Sequence, residues 1–141
     1  MKLQNKNVLV TGANGMVAYK LIKLLKDINC NLTLTDLHEK SKFSSDDLYI
    51  SGDLRSRSFA NEICKGQDVV FSLIGLKASP EECLTKPASH SVSMNQFNSN
   101  IVESVFKNDV EWFLYTSSVG VYQPAEVLFE SDVWKTMPSK N

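Results

Sequence analysis

Three sets of residues in this chain have the types and spacing to do chemistry: glycines at one strand end, carboxylates at two others, and hydroxyls at a fifth. The glycines lie in Val8-Leu9-Val10-Thr11-Gly12-Ala13-Asn14-Gly15-Met16-Val17-Ala18. A short apolar run that enters a helix through glycines leaves backbone N–H groups unpaired at one place. The helix dipole adds partial positive charge there, so the turn suits a phosphate. Gly12 supplies a turn conformation closed to residues with a side chain. Gly15 lets a pyrophosphate approach the backbone, and Ala18 is small enough for the helix to pack on the strand. Gly12, Asn14, Gly15, Met16 and Val17 are therefore the candidate cradle. The spacing is G-x-x-G-x-x-A rather than G-x-G-x-x-G, and taken alone it also fits a purely structural turn.

The carboxylates narrow the choice. Asp36 closes a second strand, Leu32-Thr33-Leu34-Thr35-Asp36, about twenty residues after the turn, where a dinucleotide-binding fold places the acid that accepts from the adenosine ribose hydroxyls. A carboxylate there repels a 2′-phosphate, which favours NAD over NADP; Lys40 and Lys42 nearby temper that preference. Asp53 follows a third strand in Gly52-Asp53-Leu54-Arg55 and fits either of two roles. It could accept from an adenine amino group, with Leu54 as an apolar wall, or cap the next helix. Ile74, Gly75 and Lys77 stand where a fourth strand leaves the sheet, bordering the same crevice, and Lys77 reads either as a cofactor contact or as a surface lysine. The hydroxyls, Ser117 and Ser118, follow a fifth apolar run.

The elements that must position these residues follow from periodicity. Strands are expected over residues 7–11, 32–36, 48–50, 67–75 and 110–116, and helices over 15–28, 56–65 and 91–108. The first helix is expected to bury Val17, Leu21, Leu24, Leu25 and Ile28, with Lys20, Lys23 and Lys26 outward. The last has Met94, Phe97, Ile101 and Val105 in one stripe. Residues 38–47 and 79–89 read as loops, the latter punctuated by Pro80 and Pro87, and residues 123–141 as irregular. Strand–helix alternation of this kind implies an α/β fold, a Rossmann-type doubly wound parallel sheet.

At 141 residues the chain fits one domain, and 43% apolar with 22% charged residues is ordinary for a globular protein. A net charge of −1 gives no electrostatic case for nucleic acid or an anionic membrane surface, and no apolar run suggests a span or a signal peptide. Cys30, Cys64 and Cys83 have neither metal spacing nor the pattern of a disulfide framework, which points to reduced thiols in a cytoplasmic protein.

Taken together, Thr11-Gly12-x-x-Gly15, Asp36, Gly52-Asp53-Leu54-Arg55 and Thr116-Ser117-Ser118-x-x-Val121-Tyr122 resemble the extended short-chain dehydrogenases/reductases. These are the NAD-dependent epimerases and dehydratases of nucleotide sugars. Gly75-Leu76-Lys77-Ala78 is similar to the matching loop of UDP-glucose 4-epimerases. The resemblance runs from residue 7 to about 130. It implies NAD as cofactor, a nucleotide-sugar substrate, hydride chemistry and a homodimer in the full-length form. It puts Ser118, with Ser117 as the neighbouring alternative, on the sugar hydroxyl that loses its proton. It also implies an asparagine on the nicotinamide side, here Asn95 or Asn98, although a gapless count puts Met94 near that place.

The family's base is a tyrosine activated by a lysine four residues on, because a phenol of pKa about 10 needs a cationic neighbour to work at neutral pH. That pair is expected some twenty residues beyond Tyr122, and Lys140 is preceded at the required spacing by Thr136. The literal match, Tyr19-x-x-x-Lys23, falls on the phosphate-binding helix. The expectation is a cofactor-binding part, residues 1–141, whose base and sugar-binding segment lie elsewhere. Its alternative is a non-catalytic NAD-binding or redox-sensing module.

Overall fold

The computed structural model describes residues 2–43, 47–76, 79–118, 121–122 and 125–134. Five parallel strands form one sheet in the order β3-β2-β1-β4-β5, with β1 Asn7–Thr11, β2 Asn31–Asp36, β3 Leu48–Ser51, β4 Val69–Ser72 and β5 Trp112–Tyr115. Val8 pairs with Leu32 on one side and Val69 on the other, and Val69 pairs in turn with Trp112. Val8, Leu9 and Val10 are fully buried, as the central strand of a sheet covered on both faces requires. The doubly wound α/β architecture expected from the pattern is the one found.

Helix α1 (Met16–Asp27) covers one face with Ala18, Ile22 and Leu25, packing on Val8, Val10, Leu32, Leu34 and Val69. Its orientation corrects the sequence expectation. Val17, Leu24 and Ile28 are exposed, and only Leu25 of the expected stripe is fully buried, with Leu21 half-buried. Two apolar stripes overlap on this helix. The sheet takes the one that begins at Ala18, whose small side chain allows the closest approach of helix to strand.

The opposite face is covered by α2 (Arg57–Cys64) and α4 (Pro87–Lys107). Their buried residues Ala60, Ile63, Cys64, Phe97 and Ile101 enclose Leu9 and Val70, with Met94 and Val105 half-buried beside them. Burial pushes the Cys64 thiol up to about 12. Ser56, not Asp53, caps α2 by accepting from the Phe59 N–H. Asn100 Nδ2 donates to the carbonyls of Leu54 (3.0 Å) and Arg55 (2.8 Å), and Arg57 Nε donates to Glu103 at 2.7 Å, so α4 is tied to the start of α2.

Residues 79–89 are not a loop. Ser79 opens α3 (Pro80–Thr85) with a reciprocal capping box to Glu82, and Pro87 opens α4. Both prolines occupy the first helical turn, where a missing N–H costs nothing, so they start helices rather than break them. Beyond β5 the described residues include a short 3-10 turn, Glu130–Asp132; residues 123–124 and 135–141, and with them Thr136 and Lys140, lie outside the described residues. Trp112 (55% exposed) and Leu114 (48%) lie on the α1 side of β5, and no described helix covers them. Val121, beyond β5, is half-buried. Among the described residues no helix is long and apolar enough to cross a membrane.

Candidate functional site

The carboxyl ends of β1, β2, β3 and β4 open into one cleft of about 840 Å³, within the ordinary range for a small-molecule site. Its lining includes Gly12, Asn14, Gly15, Asp36, Asp53, Leu54, Ile74 and Gly75, so most of the residues expected to hold a cofactor are brought together. Lys77 lies outside the described residues. Met16 (87% exposed) and Val17 stand on the outer surface of the first turn of α1, and their side chains are not part of the cleft wall.

Gly12 is required here twice over. Its φ is +65°, and a Cβ would sit 2.9 Å from the Leu73 carbonyl oxygen and 3.0 Å from the Ile74 backbone. The turn is thus pressed against the exit of β4. Gly15 N–H donates to the Gly12 carbonyl (2.9 Å) and Ala13 N–H to that of Thr35 (3.1 Å), which fixes the turn on β2 as well.

Beside this turn the Asp36 side chain is 12% exposed. One oxygen accepts from the Asn14 N–H (3.0 Å), the other from the His38 N–H (3.1 Å) and pairs with His38 Nδ1 (2.7 Å). Burial pulls its pKa up, but the bonds from His38 and Asn14 outweigh that and leave it below the usual carboxylate value. An ionised carboxylate has about four lone-pair sites, so three partners leave acceptor capacity facing the cleft. Asp53 forms a bidentate pair with Arg55, which lowers its pKa, and Leu54 beside it presents an apolar surface.

The Asn14 side chain behaves differently from expectation. It is turned away from the phosphate turn and into the β2–β3 loop. Its Nδ2 donates to the Lys40 carbonyl (2.9 Å) and to Tyr49 Oη (3.2 Å), and its Oδ1 accepts from the Lys42 N–H (2.9 Å). Lys42 Nζ donates to the Asn14 carbonyl (2.7 Å), so this ammonium, one of the two that temper the preference for NAD, is occupied. Sequence reasoning missed Tyr49 and His38. His38 had a local signal, two residues after Asp36; Tyr49 had none.

Ser117 and Ser118 are exposed after β5 and do not line the cleft. Thr116 before them is held by its N–H on the Ser72 carbonyl (3.3 Å), and the Ser118 carbonyl accepts from the Val121 N–H (3.2 Å). On α4, Asn98 is half-buried and donates to Tyr115 Oη (3.2 Å), Met94 packs against the core, and Asn95 is exposed. The hydroxyls of Thr11 and Ser72, register partners on β1 and β4, are buried with no hydrogen-bond partner among the described residues. Tyr19 and Lys23 pair on the surface of α1, with the ammonium 4.3 Å from the ring centroid, and neither lines the cleft.

The residues fit a dinucleotide: a glycine turn that opens α1 on the cleft, a carboxylate one strand away, and apolar walls from Leu54 and Ile74. Comparison with known proteins bears on the same point. The model of the NAD dependent epimerase/dehydratase family matches residues 8–138. Among solved structures, the epimerase Mth375 from Methanothermobacter thermautotrophicus superposes with a TM-score of 0.78 at 23% identity, over 92% of this chain and 40% of its own. UDP-N-acetylglucosamine 4-epimerase from Methanobrevibacter ruminantium, solved with UDP-N-acetylmuramic acid, gives 0.75 at 25% identity over 91% and 43%. MoeE5, solved with UDP-glucose and NAD, gives 0.78 at 25% identity over 94% and 42%. The chain thus spans roughly two fifths of these structures. No curated protein matches its sequence.

Proposed function

The chain belongs to the NAD dependent epimerase/dehydratase family, and from that premise we propose that residues 1–141 are the cofactor-binding part of an enzyme acting on a nucleotide sugar by transient hydride transfer. The observation that carries this reading is the single cleft in which the Gly12 turn and the Asp36 carboxylate meet. Neighbours solved with UDP-sugars support the substrate class.

When bound, NAD supplies a hydride acceptor that can return what it takes. The chain does the rest. The N-terminal turn of α1, which Gly15 opens, faces the pyrophosphate, and Asp36 accepts from the adenosine ribose hydroxyls. The negative charge of Asp36 disfavours a 2′-phosphate, which is why we assign NAD rather than NADP. Asp53 accepts from the adenine amino group while Leu54 and Ile74 exclude water from the ring. Ser118, with Ser117 beside it, holds the sugar hydroxyl as its proton leaves. The free thiols Cys30 and Cys64 accord with a cytoplasmic setting. Exposed Val102 and Phe106 on α4 accord with a homodimer of the full-length protein.

Titration with NAD and with NADP, followed by turnover assays on UDP-sugars, tests the reading in the full-length protein. Asp36→Ala should weaken NAD binding by about 1–3 kcal/mol, the scale of a lost charge-assisted hydrogen bond. Ser118→Ala should spare NAD affinity and abolish turnover. NAD binding with no hydride exchange on any nucleotide sugar would instead identify a non-catalytic NAD-binding module.

A further inference from the structure

Asn14 occupies the middle of the phosphate turn, yet its side chain makes every one of its recorded bonds to residues that follow β2. The carboxamide is nearly buried, with 9% of the residue exposed. Both of its ends are matched: Nδ2 faces two acceptors, the Lys40 carbonyl and Tyr49 Oη, while Oδ1 faces one donor, the Lys42 N–H. The reversed amide would set oxygen against a carbonyl, so the orientation is determined by the partners. Tyr49 Oη gives its only proton to the His38 carbonyl, which leaves its lone pair for Asn14 and links β3 into the same chain of bonds. The backbone joins in, since Asn14 N–H donates to Asp36 and the Asn14 carbonyl accepts Lys42 Nζ.

A loop with few apolar contacts would otherwise open at low free-energy cost. Here its backbone is bonded at Lys40 and Lys42 to Asn14, between Gly12 and Gly15, and His38, Glu39, Lys40 and Lys42 all line the cleft. We infer that Asn14 is a positioning residue: it fastens the 38–42 loop to the phosphate turn, and so holds the wall at the Asp36 end of the cleft in its binding shape before any ligand arrives. Ordering this wall in advance removes a cost that binding would otherwise bear. The effect on nucleotide affinity rests on the NAD reading above; the effect on the loop does not.

The experiment measures amide exchange by NMR in the ligand-free full-length protein, together with binding of 5′-AMP and NADH, for the wild type, Asn14→Ala and Tyr49→Phe. Asn14→Ala should speed exchange of the Lys42 amide about tenfold or more while the Leu34 amide in β2 keeps its protection. Tyr49→Phe should loosen residues 38–42 by a smaller factor. Both AMP and NADH should bind about tenfold more weakly to Asn14→Ala, the change expected from losing buried hydrogen bonds that order a wall. Unchanged Lys42 exchange with Leu34 protected would overturn the fastening role. A loosened loop with unaltered AMP and NADH affinity would overturn the positioning role. Should Asn14→Ala also expose Leu34, Tyr49→Phe decides, because it leaves the turn intact: faster exchange over 38–42 supports the assignment and wild-type exchange overturns it. A wild type that binds neither nucleotide refutes the NAD reading and the affinity role with it, while Lys42 exchange still decides the fastening.

Discussion

The two flanks of β1 are held by different forces. Towards β2 and β3, polar atoms do the ordering: Asn14, Asp36, His38, Lys42 and Tyr49 form one connected set of hydrogen bonds around the Asp36 end of the cleft. Towards β4 and β5, packing does it, and it thins outwards, from fully buried Val70 to half-exposed Trp112 and Leu114. The first flank carries Asp36 and the loop bonded to it, and Leu73, Ile74 and Gly75 at the exit of β4 complete the cleft. The second carries Ser117 and Ser118 at its outer end, exposed and apart from the cleft. Under the function proposed above, holding a cofactor and using it depend on opposite sides of the same strand.

The largest effect should come where the flanks meet. Gly12→Ala adds a left-handed residue and a contact at 2.9 Å with the exit of β4, for an expected loss of about 2–5 kcal/mol of unfolding free energy. Urea unfolding measures it. A loss under about 1 kcal/mol would mean that the turn is not clamped between β2 and β4.

Next in size is Asp36, whose bonds belong to the polar flank. Asp36→Asn should cost about 1–3 kcal/mol at neutral pH, the scale of hydrogen bonds to a charged group. The folded pKa of Asp36 lies below its ordinary value. Its carboxylate therefore stabilises the fold above the unfolded pKa of about 4, and the contribution fades as pH falls through the lower folded value. The gap between wild type and Asp36→Asn should close on acidification, as paired unfolding curves would show. A gap that persists at pH about 2 would point to lost packing, not lost charge.

Smaller again is Thr11→Val. Its buried hydroxyl has no partner among the described residues and so gains nothing from burial; the isosteric exchange should be neutral or stabilising by up to about 1 kcal/mol. A destabilised Thr11→Val would show that a water or ligand satisfies that hydroxyl. The smallest effect belongs to the outer flank. Trp112→Ser should change stability by less than about 0.5 kcal/mol and reduce self-association in sedimentation. Loss of NAD affinity on that substitution would break the division between the flanks.

The same division separates what could be read in the sequence from what could not. The strands were readable because Val8–Val10 and Val69–Phe71 are apolar on both faces and Leu32-Thr33-Leu34-Thr35 alternates, patterns that need no partner to interpret. Asp36 was readable because its distance from Gly12 is set by one helix and one strand. The buried stripe of α1 was not, since Leu21, Leu24 and Ile28 offer an equally apolar alternative and only the closeness allowed by Ala18 decides between them. Pro80 and Pro87 suggest breaks until their caps are seen. The role of the Asn14 side chain was invisible for another reason. Its partners stand 26, 28 and 35 residues away, and no local pattern reports a bond across that distance.

Cys64 offers a practical consequence. A thiol attacks reagents as its thiolate, and with its pKa pushed up to about 12 only about one molecule in 10⁵ carries that form at pH 7. Complete burial against Leu9 and Val70 also bars the reagent. Alkylation of Cys64, located by mass spectrometry, therefore counts the openings of α2 from the sheet. The protein carries its own clock for unfolding on the face where α2 and α4 meet, readable without any engineered probe.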